Sequence, residues 1–127
     1  MNLPLNARVE AAPYFLSNLE AAQRFFVEQD ADSASERLRR LKAELREMIA
    51  VLGWSPASGH PARFLSGRSA QARLRADAVQ QLAAQAGLPT LREYLVSHHI
   101  VLYAYSKTEV VLLALKHQRQ LTYFAEG

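Results

Sequence analysis

The sequence predicts an α+β domain, with a strand and a helical hairpin first and a three-stranded antiparallel meander last. Three observations carry this prediction. Apolar residues recur at helical spacing between Phe15 and Leu52. From Leu91 onward the chain is instead rich in β-branched and aromatic residues. Short polar breaks at 97–98 and 106–108 divide that second part into strands joined by tight turns.

The chain begins with a short predicted strand, Asn6–Ala12, followed by a helix. Pro13 begins this helix, because the first helical position needs no backbone N–H. The apolar residues that follow are spaced by three and four positions and form one stripe: Phe15, Leu19, Ala22 and Phe26.

A second helix is predicted from Ser33 to Gly53. Ser33 and Glu36 have the spacing of a capping box, and Gly53 is a residue on which helices end. Its apolar stripe consists of Leu38, Leu41, Leu45, Met48 and Leu52. The charged residues between them predict a solvated face: Arg37, Arg39, Arg40, Lys42 and Glu44. The short link makes the two helices an antiparallel hairpin.

The middle of the chain predicts a loop and then an extra helix. The segment Trp54–Gly67 contains two prolines and several turn residues, so it is predicted as loop. The alanine-rich segment Ser69–Ala86 has helical spacing and ends at Gly87. We therefore expect one domain over residues 1–127, with a helical insertion at 68–87.

Alternation along the strands predicts which side chains share a face. In the middle strand Ile100, Leu102 and Ala104 are predicted to lie under the helical hairpin, and the other face carries His99, Val101, Tyr103 and Tyr105. The last strand, from Val110 to Leu115, is apolar at every position, so we expect it to be buried on both faces.

Composition and charge narrow the class of protein. The chain has no cysteine, which excludes disulfides and thiolate metal sites. Its formal net charge is +3, and all of the surplus lies after residue 63, where seven basic residues face four acidic ones. It shows neither a signal-peptide pattern nor an apolar run of about 20 residues, the length that spans a membrane. We expect a cytoplasmic protein that does not enter a membrane.

No familiar catalytic motif is present in the sequence. His98 and His99 are adjacent in a strand context, so their side chains point apart, and we expect neither a metal nor a cofactor there. Glu93 and Glu109 have no evident partner for paired acid–base work. The remaining candidates are the basic and aromatic residues around the last strand.

The second half carries a resemblance to a known family. Leu91-Arg92 comes first, the run His99–Tyr105 follows, and Val110–Leu115 then leads into Lys116-His117-Gln118-Arg119. This order resembles the RelE/ParE superfamily, the toxins of bacterial type II toxin–antitoxin systems, which include plasmid stabilisation proteins. The resemblance covers most of the chain but not Gly67–Gly87, where a typical member has a short loop. It implies a RelE/ParE-like fold.

The resemblance implies two targets. ParE-like members poison DNA gyrase and do no chemistry, whereas RelE-like members are ribosome-dependent endoribonucleases that cut mRNA. The ribonucleases carry a basic residue three positions before the tyrosine of the middle strand, where this chain has Ile100. The His117-x-Arg119 ending is more similar to ParE. We therefore expect a gyrase inhibitor, with the ribonuclease as the alternative. A non-toxic binding module is a third reading, since the insertion would cover the target-facing surface.

The resemblance also implies site residues and partners. The residues expected to contact the target or act on it are Arg92, Lys116, His117, Arg119 and Tyr123. A cognate antitoxin is expected to lay an amphipathic segment on apolar surface of the toxin. The stripe of the first helix and the two-sided apolarity of Val110–Leu115 suit this role. A homodimer core or a toxin–antitoxin heterotetramer would use the same surface.

Overall fold

Five strands form one mixed sheet, and two helices pack on it. The computed structural model describes residues 6–61, 81, 84, 87–88 and 90–118. The elements in chain order are β1 (Arg8–Ala11), α1 (Pro13–Gln29), α2 (Ala31–Trp54), β2 (His60–Pro61), β3 (Thr90–Val96), β4 (His99–Tyr105) and β5 (Glu109–His117). The strands lie in the order β1-β5-β4-β3-β2, with β1 parallel to β5 and the other pairs antiparallel. The α+β class is confirmed.

The sheet has one strand more than predicted. The segment Trp54–Gly67 was expected to be loop, but β2 within it pairs with β3 at Glu93 and Arg92. A two-residue strand is too short to show alternation, so its sequence has no strand pattern. The predicted helix Ser69–Ala86 lies almost wholly outside the described residues.

Helix α1 begins at Pro13, as its sequence predicts. Phe15 and Phe26 are only 4% and 3% exposed and belong to the core between the helices and the sheet. Leu19 and Ala22 pack against the same core. The predicted apolar stripe is therefore the inner face of α1.

Helix α2 differs from its prediction at both ends. It begins at Ala31, because the Asp30 carboxylate accepts a hydrogen bond from the backbone N–H of Asp32 and caps the helix three residues before Ser33. It also continues through Gly53 to Trp54. There the Gly53 carbonyl accepts a hydrogen bond from the backbone N–H of Ala7 at 2.7 Å, so this end of α2 holds the residue just before β1. Among the described residues, no helix is long and apolar enough to span a membrane.

The helical hairpin covers the opposite face of β4 from the one predicted. Val101 and Tyr103 are fully buried in the core beneath the helices, whereas Leu102 and Ala104 belong to a second cluster on the other face. Both faces of β4 are apolar enough to be buried, so alternation alone could not choose between them. The Tyr103 hydroxyl decides the matter, because a buried hydroxyl needs hydrogen-bond partners and finds them on the helix side.

A β-bulge lies opposite the middle of β4. Leu102 pairs with Ala114 and Tyr103 pairs with Leu112, so β5 has one extra residue there. As a result Leu115 joins Leu112 in the core under the helices. The backbone N–H of Leu115 donates to Asn18 Oδ1 of α1 at 2.9 Å, which ties the helix to the irregular part of the strand. Burial of β5 on both faces is confirmed.

Tyr103 holds the segment that leaves α2. Its hydroxyl donates to the Pro56 carbonyl at 2.7 Å and accepts from the Gly59 N–H at 2.9 Å. Pro56–Ser58 forms a single 3-10 turn. The phenol thus satisfies two backbone groups on either side of this turn and brings β2 to its place beside β3.

The substitution Tyr103→Phe is expected to lower the free energy of unfolding by about 2 kcal/mol, because it leaves a donor and an acceptor of the backbone without their partner. Tyr105→Phe is the matched control, since within the described residues that hydroxyl accepts a single hydrogen bond, from Arg92 at 3.2 Å, in a part-buried position. Urea denaturation of both variants measures the difference. An equal effect in the two would contradict the role of Tyr103.

Candidate functional site

The five residues predicted to form the site are not brought together by the described part of the chain. Arg92 lies on β3, and Lys116 and His117 lie at the end of β5. Arg119 and Tyr123 lie outside the described residues. Each of the three described residues has a different environment.

Arg92 holds the loop after α2 in place through a hydrogen bond. Its Nη1 donates to the Gly59 carbonyl at 2.9 Å, and its Nε donates to the Tyr105 hydroxyl at 3.2 Å. The hydrogen bond to Tyr105 raises the pKa of the Arg92 guanidinium. These contacts fix β2 and the loop against β3.

Arg92 and His117 lie towards opposite ends of the sheet. Arg92 pairs with Tyr103, and His117 pairs with His99. These two positions of β4 are four residues apart, which corresponds to about 13 Å along a strand. Arg92 and His117 therefore do not contact one ligand group together.

Lys116 points to the face of the sheet opposite His117. It pairs with Ile100, and Glu93 pairs with Leu102, so Lys116 and Glu93 lie on the same face. Both are buried, with 8% and 2% of their surface exposed. Burial lowers the pKa of the Lys116 ammonium, and the Glu93 carboxylate acts in the opposite direction. Lys116 thus belongs to a buried polar group rather than to the surface that carries His117.

His117 lines a cleft that the sequence did not predict. The cleft has a volume of about 120 Å³ and lies between α2, the turn from β3 to β4, and the end of β5. Three of the four histidines of the chain meet there. We call it the histidine cleft; its charged and titratable lining residues are Arg37, Arg40, Glu44, His98, His99 and His117.

His117 contacts both of the other imidazoles of the histidine cleft. The rings of His99 and His117 are 5.3 Å apart between centroids and meet edge to face. The rings of His98 and His117 are stacked at 6.4 Å. Phe26 closes the inner side with an edge contact to His99, and the Arg37 guanidinium lies 4.2 Å above the Phe26 ring.

His99 is the buried member of the cluster, with 7% of its surface exposed. Burial lowers the pKa of His99 to about 4, and His117, His98 and Arg37 lower it further because a proton there would add to existing positive charge. His99 is therefore neutral at pH 7 and presents a ring nitrogen that can accept a proton or a hydrogen bond.

The position of the cleft follows from the register between the strands, which the spacing of residues along one strand does not show. The two-residue turn at 97–98 sets Val96 opposite His99, and the register of the next hairpin sets His117 opposite His99. Arg40 is exposed and Arg37 is half-buried on the predicted solvated face of α2, and both also line the cleft. Their position depends on where the hairpin sits on the sheet, which is a tertiary property.

The donor set does not indicate a metal centre. Within the described ranges, no group of three or more histidine or acidic side chains is arranged to hold a metal ion. Comparison with known proteins gives no further guidance, since no protein-family model matches this chain and no curated protein is similar to it in sequence. The chemistry of the site is therefore inferred from its own residues.

The histidine cleft combines two kinds of group. The guanidiniums of Arg37 and Arg40 are fixed positive charges that favour an anionic partner. The neutral imidazole of His99 presents a ring nitrogen that can accept a proton or a hydrogen bond, and His117 lies against it. Such a surface can bind an acidic protein segment, and it can also assist cleavage of a phosphodiester.

Proposed function

We propose that this protein is the toxin of a type II toxin–antitoxin system and acts on DNA gyrase. The observation that carries the proposal is the order of elements: a strand, a helical hairpin, a proline-containing loop and a meander whose last strand ends in Lys116-His117. This is the order of the RelE/ParE superfamily, which the second half of the sequence resembles. The histidine cleft is the surface that we assign to the target.

Ile100 favours a protein target over RNA cleavage. It occupies the position at which the ribonuclease members carry a basic residue. Its side chain packs against the apolar cluster on the sheet face away from the helices, which includes Leu102 and Leu113. Position 100 thus faces away from the histidine cleft and lacks the basic residue of the ribonucleases, so the cleft's permanent positive charge comes from Arg37 and Arg40.

The composition of the histidine cleft supports a second candidate function, RNA cleavage in the manner of RelE. His99 is neutral at pH 7 and lies against His117, so its ring nitrogen can accept a proton from an attacking hydroxyl. Arg37 and Arg40 would stabilise the phosphate as negative charge builds on it. In this reading Arg119→Ala is expected to lower cleavage by orders of magnitude.

We assign the antitoxin to a different surface from the one the sequence suggests. The stripe of α1 is buried against the sheet of its own chain, and Val110–Leu115 is covered on both faces. A homodimer is likewise not needed to bury these residues. Apolar side chains that are exposed on the helices include Leu16, Phe25, Val27, Ile49, Val51 and Trp54. An amphipathic antitoxin segment has this outer surface of the hairpin available to it.

Two assays on the purified full chain separate the candidates. A gyrase supercoiling assay is expected to show loss of supercoiling at toxin excess, because a ParE-like protein blocks the enzyme by binding it. Messenger RNA from cells that express the protein is expected to stay intact. Cleaved mRNA with unimpaired gyrase would replace the first function by the second. Normal growth with neither effect would leave only a non-toxic binding module.

A further inference from the structure

The tip of the helical hairpin rests on the sheet through the imidazole cluster. Phe26, near the end of α1, meets His99 at 6.0 Å between ring centroids. Arg37, near the start of α2, lies over the same phenylalanine. His99 in turn lies against His117. The contact between this end of the hairpin and the sheet therefore passes through titratable rings, whatever the protein's target is.

The charges around His99 are mostly positive. Helix α2 contributes Arg37, Arg40 and Glu44, the turn contributes His98, and β5 contributes His117. Helix α1 contributes Phe26, which does not titrate, and Lys116 lies on the opposite face of the sheet. Among the described residues, one carboxylate thus faces two guanidiniums. A proton added to buried His99 would be held among like charges with little surrounding water.

The other end of the hairpin is held by contacts that acid does not change. There the Tyr103 hydroxyl bridges Pro56 and Gly59, and the Gly53 carbonyl accepts from Ala7. Burial raises the pKa of Tyr103, so its hydroxyl stays protonated throughout the acidic and neutral range. The two ends of one helical layer therefore differ in their response to pH.

We propose that the histidine cluster is an acid-sensitive latch: on acidification the tip of the helical hairpin separates from the sheet, while the end held by Tyr103 stays packed. The separated state exposes His99 and lets it take a proton that the packed state excludes. The inference goes beyond the proposed function and does not depend on it.

The direction of the pH response, opening as the pH falls, follows from the titration of His99. Its pKa is about 4 in the packed state and about 6.5 in an exposed histidine, so packing favours the neutral ring. The stabilisation is complete above pH 6.5 and is lost as the pH falls from 6.5 towards 4. At pH 5.5 these two values give an increase in the open fraction of about tenfold over pH 7.5.

Native-state hydrogen exchange of the full chain tests the latch. After correction for the intrinsic pH dependence of exchange, the amides of Phe26 and Leu41 at the tip are expected to lose about tenfold in protection between pH 7.5 and 5.5. The amides of Met48 and Leu52 at the other end are expected to change less than about twofold. Equal loss at both ends, or no loss at the tip, would overturn the proposal.

Two histidine variants locate the effect. His99→Asn is expected to abolish the loss of exchange protection at the tip between pH 7.5 and 5.5. His60→Asn, which removes a histidine outside the cluster, is expected to retain that loss. If His99→Asn does not fold, the ring proton signals of His99 in the unmodified chain decide the question. A midpoint below about pH 5 supports the latch, and a midpoint near 6.5 excludes it.

Discussion

Replacing Gly59 with alanine is expected to lower the free energy of unfolding by about 3 kcal/mol. A Cβ at this position would clash with the Glu93 carbonyl and would lie 2.7 Å from the Tyr103 hydroxyl. The backbone of β3 cannot yield without breaking the sheet, so the segment 56–61 must move away. That movement also separates Tyr103 from its two partners, which leaves buried polar groups unsatisfied.

The measurement is a denaturant titration, supported by a thermal midpoint that is expected to fall by about 10 °C. Gly53→Ala is the matched control. A Cβ there meets only the Ala7 carbonyl at an ordinary contact distance of 3.6 Å, and the residue is helical, so alanine is expected to be neutral or to stabilise by about 0.5 kcal/mol. If Gly59→Ala were as stable as Gly53→Ala, the loop would not be packed against β3 as described.

The helices were predictable because local chemistry defines them. Pro13 marks the start of α1, and the apolar stripes of both helices are the faces that are buried. The errors at the ends of α2 arose where one residue has two roles. Asp30 ends α1 and also caps α2, so the capping pattern at Ser33 and Glu36 is not used; Glu36 instead pairs with Arg39 at 2.6 Å.

The strands of the meander were predictable from the sequence, but the face of the sheet that the helices cover was not. Period-two alternation divides β4 correctly into two sets, yet both sets are apolar and the helices can cover only one. The choice depends on whether Tyr103 reaches the loop after α2, which is a contact between residues more than 40 positions apart. The bulge opposite Leu102 depends likewise on the partner strand and cannot be read from β5 alone.

The site prediction groups residues that are neighbours in the sequence. For this reason the described part of the chain does not bring the predicted residues together. Lys116 and His117 are adjacent in the chain, but alternation sends one to each face of β5. His99 and His117 are far apart in the chain but pair directly. A site on an antiparallel sheet is set by register, so positions must be counted through the turns before residues are grouped.

The largest functional effect is expected from the two arginines of the histidine cleft. His99 is neutral at pH 7, so Arg37 and Arg40 supply the cleft's permanent positive charge. If the cleft faces the target, the double substitution Arg37→Gln with Arg40→Gln is expected to weaken target binding about 100-fold, about tenfold for each arginine, and so to restore colony formation in cells that express the chain without an antitoxin. Glutamine keeps much of the length and polarity of arginine, so the loss of charge is the main change.

The matched control removes the same charge from the same helix. Arg39 and Arg46 are exposed on α2 and do not line the histidine cleft, so Arg39→Gln with Arg46→Gln is expected to leave growth arrest unchanged. Arg37→Gln also removes the cation–π contact with Phe26, worth about 1 kcal/mol, and the folded state of every variant is therefore checked by its thermal midpoint. Equal rescue by the two double variants would mean that overall charge, and not the cleft, governs toxicity. Rescue by the cleft variant alone would assign the target contact to the cleft, because net charge, helix and fold are then held constant.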